Sequence, residues 1–134
     1  MRKTIDNPTA VPAPAGPYSH VARLEFGDGA LLILSGQVAV GEDNNIIGPG
    51  DLRAQSERTL EIIKSLLEAH GASFSDVVNI RTFVTDISRL KEYAEVRAKY
   101  ITGEPPTSTT VEVPRLFKPD AMIEIEVVAA VGTS

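Results

Sequence analysis

The sequence predicts an α+β fold in which two helices cover one face of a single sheet. The 134 residues, 43% apolar and 23% charged, fit one domain with one core, residues 1–134. The hydrophobic periodicity gives strands and helices in the order β-β-α-β-α-β-β. Two helices cannot cover both faces of such a sheet, so the simplest arrangement packs both on the same face.

The first part of the chain predicts an arm and two strands. Residues 8–17 contain four prolines, which favours an extended arm, although a plain terminal tail is the alternative. A short strand at Lys3–Ile5 can precede it. Val21–Phe26 alternates in polarity and stops at the turn signal Gly27-Asp28-Gly29, as in a hairpin. The next predicted strand is Ala30–Val40.

Capping residues and prolines mark the remaining elements. Asp51 is a good N-cap for a helix that ends before Gly71, a natural C′ residue. Asp86 or Ser88 caps a second helix, which Pro105 and Pro106 stop. In order, the predicted elements are helix Leu52–His70, strand Val77–Val84, helix Arg89–Ile101, strand Thr107–Val113 and strand Ala121–Val131.

Alternation along the strands divides the sheet into a helix-covered face and a mixed face. The set predicted beneath the helices is Leu32, Leu34, Val38, Val40, Val78, Ile80, Ile123, Ile125 and Val127. The mixed face would carry Ser35, Gln37, Asn79, Arg81, Glu124 and Glu126 among Leu31, Ile33, Phe83 and Met122. Such a face suits neither solvent nor a core, so we expect identical subunits to cover it, with polar clefts between them.

Composition and missing motifs exclude several kinds of function. The net charge of −5 argues against nucleic-acid and anionic-membrane binding, and no apolar run is long enough to span a bilayer. The absence of cysteine removes disulfides, thiolate metal sites and cysteine nucleophiles. With no secretory signal visible, a cytoplasmic location is the default. No triad, phosphate-binding loop or metal-ligand spacing is present, so we expect neither metal nor cofactor.

Acid–base chemistry by a carboxylate remains, and Glu124 is the leading candidate. A glutamate on an apolar strand can have its pKa raised by desolvation, which suits proton transfer near neutral pH. The alternative is that Glu124 or Glu126 merely pairs with Arg81 or another cation at a subunit contact.

Three other features draw attention. Arg97 interrupts the apolar stripe of the second helix, where a buried cation requires an anion, unless the side chain extends to the rim. The members of that stripe are Leu90, Tyr93, Ala94, Tyr100 and Ile101. Tyr18 follows Gly16-Pro17 and can cover a cleft, although a core tyrosine is the commoner case. Gly36, in Ser35-Gly36-Gln37, is a glycine inside a strand, which often marks close approach of a backbone or ligand.

Together, four segments form a specific pattern. They are Gly16-Pro17-Tyr18-Ser19, Ser35-Gly36-Gln37, Pro106 to Val113, and Ile123-Glu124-Ile125-Glu126, in this order. The chain resembles the RidA/YjgF family of reactive intermediate deaminases over nearly its whole length. The resemblance implies a chorismate-mutase-like fold, with a six-stranded mixed sheet and two helices on one face. It also implies a homotrimer with three sites between subunits.

The best-known branch of that family hydrolyses enamines and imines to a carbonyl product and ammonia. The resemblance assigns Glu124 to water or proton handling, and Tyr18, Ser35 and Gly36 to the substrate cleft. In that branch a strand arginine binds the substrate carboxylate. Ser108 takes its place here, and Thr110 replaces a nearby cysteine.

Losing that arginine leaves two possibilities for binding. Either Arg97 reaches the cleft and replaces the cation, or the ligand lacks a carboxylate and meets the hydroxyls of Ser108 and Thr110. The functional hypotheses are a deaminase with an altered substrate range and a non-catalytic small-ligand-binding trimer. A third hypothesis is the ribonuclease activity attributed to some relatives, and the negative net charge of the chain argues against it.

Overall fold

The computed structural model describes residues 1–132, and its strands form one six-stranded sheet. The strands are β1 Arg2–Asp6, β2 Val21–Phe26, β3 Gly29–Leu34, β4 Val77–Val84, β5 Thr107–Glu112 and β6 Ile123–Gly132, and the helices are α1 Leu52–Glu68 and α2 Leu90–Tyr100. Their order in the sheet is β1-β2-β3-β6-β4-β5, with β4 and β5 parallel and every other neighbouring pair antiparallel. The predicted order of elements is confirmed, and a short N-terminal strand is present as β1.

Strand β6 lies near the centre of the sheet and shows the alternation most clearly. Ile123, Ile125 and Val127 are buried in the core, whereas the intervening glutamates face the other way. The two helices pack on each other over this core. Helix α2 buries Tyr93 and Val96. Arg97 therefore lies beside the buried stripe of α2, at its rim.

Strand β3 ends at Leu34, earlier than the sequence predicts, because the chain bulges. Ile33 pairs with Val128, whereas Gln37 pairs with Ile125, which leaves one extra residue on the β3 side. Paired residues of an antiparallel ladder share a face, so Gln37 turns towards the helices and is 5% exposed. The prediction that Gln37 lies on the mixed face is therefore wrong.

A second bulge resets the alternation of β4. Val77 pairs with Ala129 and Asn79 pairs with Val128, so Val78 is the extra residue. Val77 consequently packs against the core, while Val78 is 45% exposed. The prediction that Val78 lies beneath the helices is wrong for this reason.

A fully buried amide on α1 fixes the approach to β6. The Gln55 Nε2 donates to the carbonyls of Gly48 at 3.1 Å and Asp120 at 3.0 Å. Its Oε1 accepts from the backbone N–H of Met122 at 2.8 Å. One side chain thus holds the loop before α1 and the turn before β6, two residues ahead of Glu124.

The proline-rich arm is docked on the domain. His20 is 5% exposed, and its Nε2 lies 2.8 Å from the carbonyl of Pro12, while Nδ1 lies 3.2 Å from Nε2 of Gln37. Because the amide nitrogen only donates, Nδ1 accepts and Nε2 carries the proton given to Pro12. Val11 is buried in the core cluster. The segment is an arm held in place, and not a free tail.

Candidate functional site

Glu124 lies on the sheet face away from the helices, against the backbone of Gly36. A Cβ atom added at Gly36 would lie 2.4 Å from Oε2 of Glu124 and 2.9 Å from its Cδ. Such distances exclude any side chain unless the carboxyl group moves. The glycine inside the bulge therefore makes room for this carboxyl group, as the sequence predicted for a close approach at this position.

The surroundings of Glu124 favour its protonated form. Burial, and then the negative charge of Glu126, raise the pKa of the Glu124 carboxyl above its ordinary value. Glu126 itself accepts a hydrogen bond from Arg81 at 2.5 Å. Among residues 1–132, Glu124 forms no ion pair. The alternative of an ion pair with Arg81 thus describes Glu126 and not Glu124.

Tyr18 and Ser35 border the same region. The hydroxyl of Ser35 donates to the carbonyl of Ser19 at 2.5 Å, which joins the bulge to the segment after Tyr18. Tyr18 is 40% exposed, so it is not a core tyrosine. It lines one small cavity together with Gly36 and a shallower one together with Ser35. We call Tyr18, Ser35, Gly36 and Glu124 the Glu124 cluster.

The other three predicted site residues meet beside α2. The Nη1 of Arg97 donates to the hydroxyl of Ser108 at 3.1 Å. Thr110, two positions along β5, lines a cavity of about 300 Å³ together with Arg97. The remaining lining residues are Leu90, Tyr93, Ala94, Ala98, Ile101, Gly103 and Pro105. We call this the α2 cavity.

Within one chain the Glu124 cluster and the α2 cavity lie on opposite faces of the sheet. Thr82 pairs with both Ile125 and Thr110, and its hydroxyl lies 3.0 Å from that of Tyr93 on α2. Thr110 therefore faces the helices, whereas Glu124, next to Ile125, faces away from them. A single chain does not bring the predicted site residues into one cleft.

Two residues that the sequence analysis did not single out border the Glu124 cluster. Phe117 is 59% exposed, and it lines the small cavity of Tyr18 and Gly36 together with Lys118. The ammonium group of Lys118 donates to the carbonyl of Asn44, which joins two loops. Both residues lie in an irregular segment without periodicity. The only sequence signal at Phe117 is a large aromatic residue next to a predicted loop at Lys118-Pro119-Asp120.

Residues 1–132 contain no group of three histidine, aspartate or glutamate side chains that could hold a metal ion. None of the helices described for this stretch is long and apolar enough to cross a membrane. The chemical groups of the candidate site are therefore a carboxyl, a guanidinium, hydroxyls and backbone amides.

Comparison with known proteins identifies the family. The family model described as Endoribonuclease L-PSP matches residues 8–131. A RutC family protein of Sulfurisphaera tokodaii is 38% identical over 121 residues, which cover 90% of this chain and 93% of the relative. The structure of YyfA from Yersinia pestis, of the conserved Rid protein family, superposes with a TM-score of 0.85 and 29% identity, covering 97% of this chain and 100% of that one.

A second solved structure agrees. RidA from an Antarctic Psychrobacter bacterium superposes with a TM-score of 0.84 and 28% identity, over 97% of this chain and 100% of that one. The chorismate-mutase-like α+β fold is thereby confirmed. From the matched family model, the identity to the Sulfurisphaera relative and the shared fold, we conclude that the chain belongs to the RidA/YjgF family.

Proposed function

We propose that this protein hydrolyses reactive enamines and imines to a carbonyl compound and ammonia, with Glu124 handling the proton. The observation that carries the proposal is the Glu124 carboxyl, packed against Gly36, without an ion pair in residues 1–132 and with a raised pKa. A raised pKa brings a carboxyl closer to the range in which general acid–base catalysis is efficient. The similarity to RidA and to the Rid protein family, whose best-known branch hydrolyses enamines and imines, supports the same class of reaction.

The reaction replaces a C=N bond by a C=O bond and consumes one water. The water oxygen adds to the imine carbon and loses one proton, while the nitrogen gains one, which gives a carbon that carries a hydroxyl and an amino group. The nitrogen then gains a second proton, the C–N bond breaks and ammonia leaves, while the hydroxyl loses its proton to form the carbonyl. In each of the two stages Glu124 gives one proton to the nitrogen and receives one from the oxygen, so it ends the cycle unchanged. Neither a metal nor a cofactor takes part, and positioning of water and substrate provides most of the rate gain.

We place this chemistry in a seam between copies of the chain. A substrate reaches both groups of predicted residues only where the Glu124 cluster of one copy meets the α2 cavity of the next. The mixed face carries exposed apolar side chains, with Ile33 42% exposed beside the Arg81–Glu126 pair, as expected of a face that a neighbour covers. A homotrimer closes such head-to-tail contacts into three equal seams. A chain without cysteine has neither a thiol nor a disulfide to change, so the proposed seam does not depend on the redox state of its surroundings.

Ammonia release from freshly generated imines tests the proposal. We expect Glu124→Gln, which keeps the shape but loses the acid, to lower the rate above buffer by about a hundredfold. Gly36→Ala displaces the same carboxyl by steric contact and is expected to have a similar effect. Glu61→Gln, on the exposed side of α1, is the matched control and should leave the rate unchanged.

Each outcome has a definite meaning. Equal rates for the wild type and Glu124→Gln would refute a role for this carboxyl. A wild type that binds a small ligand but never exceeds the rate in buffer would support the alternative function, a non-catalytic ligand-binding trimer. Its support in the sequence is Ser108, which supplies neither the charge nor the planar donor pair of an arginine.

A further inference from the structure

The ring of Phe117 is left largely uncovered beside the Glu124 cluster. It is 59% exposed, more than any other phenylalanine or tyrosine of the chain. A single exposed ring needs no explanation, but Tyr18, 40% exposed, lines the same small cavity. The backbone of Gly36, against which the Glu124 carboxyl packs, forms part of that cavity as well. Two partly free aromatic surfaces therefore lie next to the proposed proton donor.

The walls of this cavity are apolar and nearly free of charge. Of the described residues that line it, only Lys118 carries a fixed charge, and its ammonium group donates to the carbonyl of Asn44. Proline rings and small or branched side chains complete the apolar walls: Pro12, Ala13, Pro14, Ala15, Val38 and Val40. Such walls favour an uncharged apolar group over a charged one.

Space for a substrate lies over the ring of Phe117 and not inside the cavity. The cavity measures about 20 Å³, which is room for about one water molecule. On another side Phe117 borders an open groove of about 600 Å³ in the segment before β6, which Arg115 and Asp120 make polar. With its nitrogen-bearing carbon at Glu124, a substrate would lay an apolar substituent over the free surface of this ring.

Two sets of hydrogen bonds hold the segment of Phe117 in position. The ammonium group of Lys118 is tied to the loop after β3 through the carbonyl of Asn44. Two residues later, the carbonyl of Asp120 accepts from the buried amide of Gln55 at 3.0 Å. A segment fixed in advance loses little freedom when a ligand covers it, which favours binding.

We propose that Phe117 determines the substrate preference of this site, because its ring, with that of Tyr18, packs against an aromatic group of the substrate. The inference rests on the proposed function and names its substrate class: imines and enamines that carry an aromatic ring near the C=N group. Favourable ring–ring geometry gives such a group a preference of about two- to tenfold over a saturated ring of similar size. An apolar wall without this geometry would favour the saturated ring, which has the larger apolar surface.

Calorimetric titration of the full-length chain with 4-phenylbutan-2-one and 4-cyclohexylbutan-2-one tests the aromatic wall. These ketones are stable analogues of a hydrolysis product, and they differ only in whether the ring is aromatic or saturated. We expect the wild type to bind the phenyl ketone about two- to tenfold more tightly than the cyclohexyl ketone. Phe117→Ala should lose this preference and bind both ketones more weakly.

Phe117→Leu provides the second variant, since it keeps a large apolar side chain but loses the ring. We expect it to favour the cyclohexyl ketone. Phe26→Ala is the matched control, because Phe26 is 55% exposed at the end of β2 and does not line the cavity. This control should keep the preference of the wild type. Light scattering compares the oligomeric state of each variant with that of the wild type.

A ring that serves only to pack against a neighbouring copy would give a different result. Phe117→Leu would then change the assembly or the stability of the protein but leave the ratio of the two affinities as in the wild type, which would overturn the proposal. A wild type that binds the cyclohexyl ketone at least as tightly as the phenyl ketone would also overturn it. So would a wild type that binds neither ketone at millimolar concentration.

Ammonia release separates this inference from the proposed function. A flavin-dependent amine oxidase converts 3-phenylpropylamine and 3-cyclohexylpropylamine to a matched pair of imines. Above the rate in buffer, we expect the wild type to have the higher kcat/KM for the phenyl imine, and Phe117→Leu to lose this difference. Preferential binding of the phenyl ketone without turnover of either imine would sustain the aromatic wall and overturn the deaminase. Turnover of both imines with the same ratio in the wild type and in Phe117→Leu would do the reverse.

Discussion

At the scale of single residues, the surroundings of the Glu124 carboxyl shift its pKa in one direction only. Burial is the larger cause and Glu126 the smaller, and both disfavour the ionised form. Arg81 is engaged by Glu126 and does not reverse the effect. Glu124 was predictable from the sequence because alternation along β6 is unbroken. The sequence predicted that another group approaches Gly36 closely, but not that this group is the Glu124 carboxyl.

The raised pKa makes the stability of the protein depend on pH in a definite sense. The folded state keeps the proton of Glu124 to higher pH than the unfolded chain, so its contribution is complete below the ordinary value of 4.5 and is lost as pH rises through the folded pKa. We expect Glu124→Gln to gain free energy of unfolding over the wild type at about pH 8, and the gain to shrink at about pH 4. Urea titrations at fixed protein concentration measure both.

Glu61→Gln controls for the loss of one surface charge in these titrations. A difference between Glu124→Gln and the wild type that is constant with pH, or that grows on acidification, would contradict the sign argued here.

At the scale of secondary structure, hydrophobic periodicity predicted the helices and strands. It did not predict the positions at which the alternation along a strand is interrupted. The helices, β2, β5 and β6 lie close to their predicted positions because their patterns run without a break. The bulge after Leu34 turns Gln37 towards the helices, and the bulge at Val78 interrupts the alternation between Val77 and Ile80, which are both buried. Neither site has a local signal that distinguishes it from an ordinary strand, apart from the glycine at position 36.

Gln55 joins these elements, and its replacement should affect the whole fold. We expect Gln55→Leu to lower the free energy of unfolding by about 2–4 kcal/mol, because the carbonyls of Gly48 and Asp120 and the N–H of Met122 lose their partner. Ser56→Ala is the matched control, as its hydroxyl bonds only the carbonyl of Leu52, four residues back, and should cost less than about 1 kcal/mol. Equal losses in both variants would show that the Gln55 bridge has no special role.

At the scale of the whole molecule, the sequence pattern proposed site residues but not the distances between them. The resemblance assigned Tyr18 and Glu124 to a cleft between subunits and left open whether Arg97 reaches it. The register puts Glu124 and Arg97 on opposite faces of a single chain. Face assignments across strands depend on register, and neither composition nor spacing fixes the bulges that decide it.

Subunit mixing tests whether neighbouring copies complete the site. At substrate concentrations well below KM, Glu124→Gln and Arg97→Gln are each expected to hydrolyse imines much more slowly than the wild type. When the two are unfolded together in equal amounts and refolded, about one quarter of the seams in random trimers combine an intact Glu124 with an intact Arg97. Recovery of about that share of the wild-type rate is the expected result, and no recovery in demonstrably mixed trimers would contradict a site shared between neighbouring copies.

Because of the extra residue after Leu34, the short segment 35–37 contributes side chains or space to both faces of the sheet. Gln37 points inwards, where it secures His20 and through it the proline arm, while Gly36 leaves space outwards for a carboxyl group. Deleting one residue here would exchange the sheet faces of Gly36 and Gln37. That change would detach the N-terminal segment from Gln37 and crowd the carboxyl group of Glu124. A change of length at this point therefore disturbs the protein in two places.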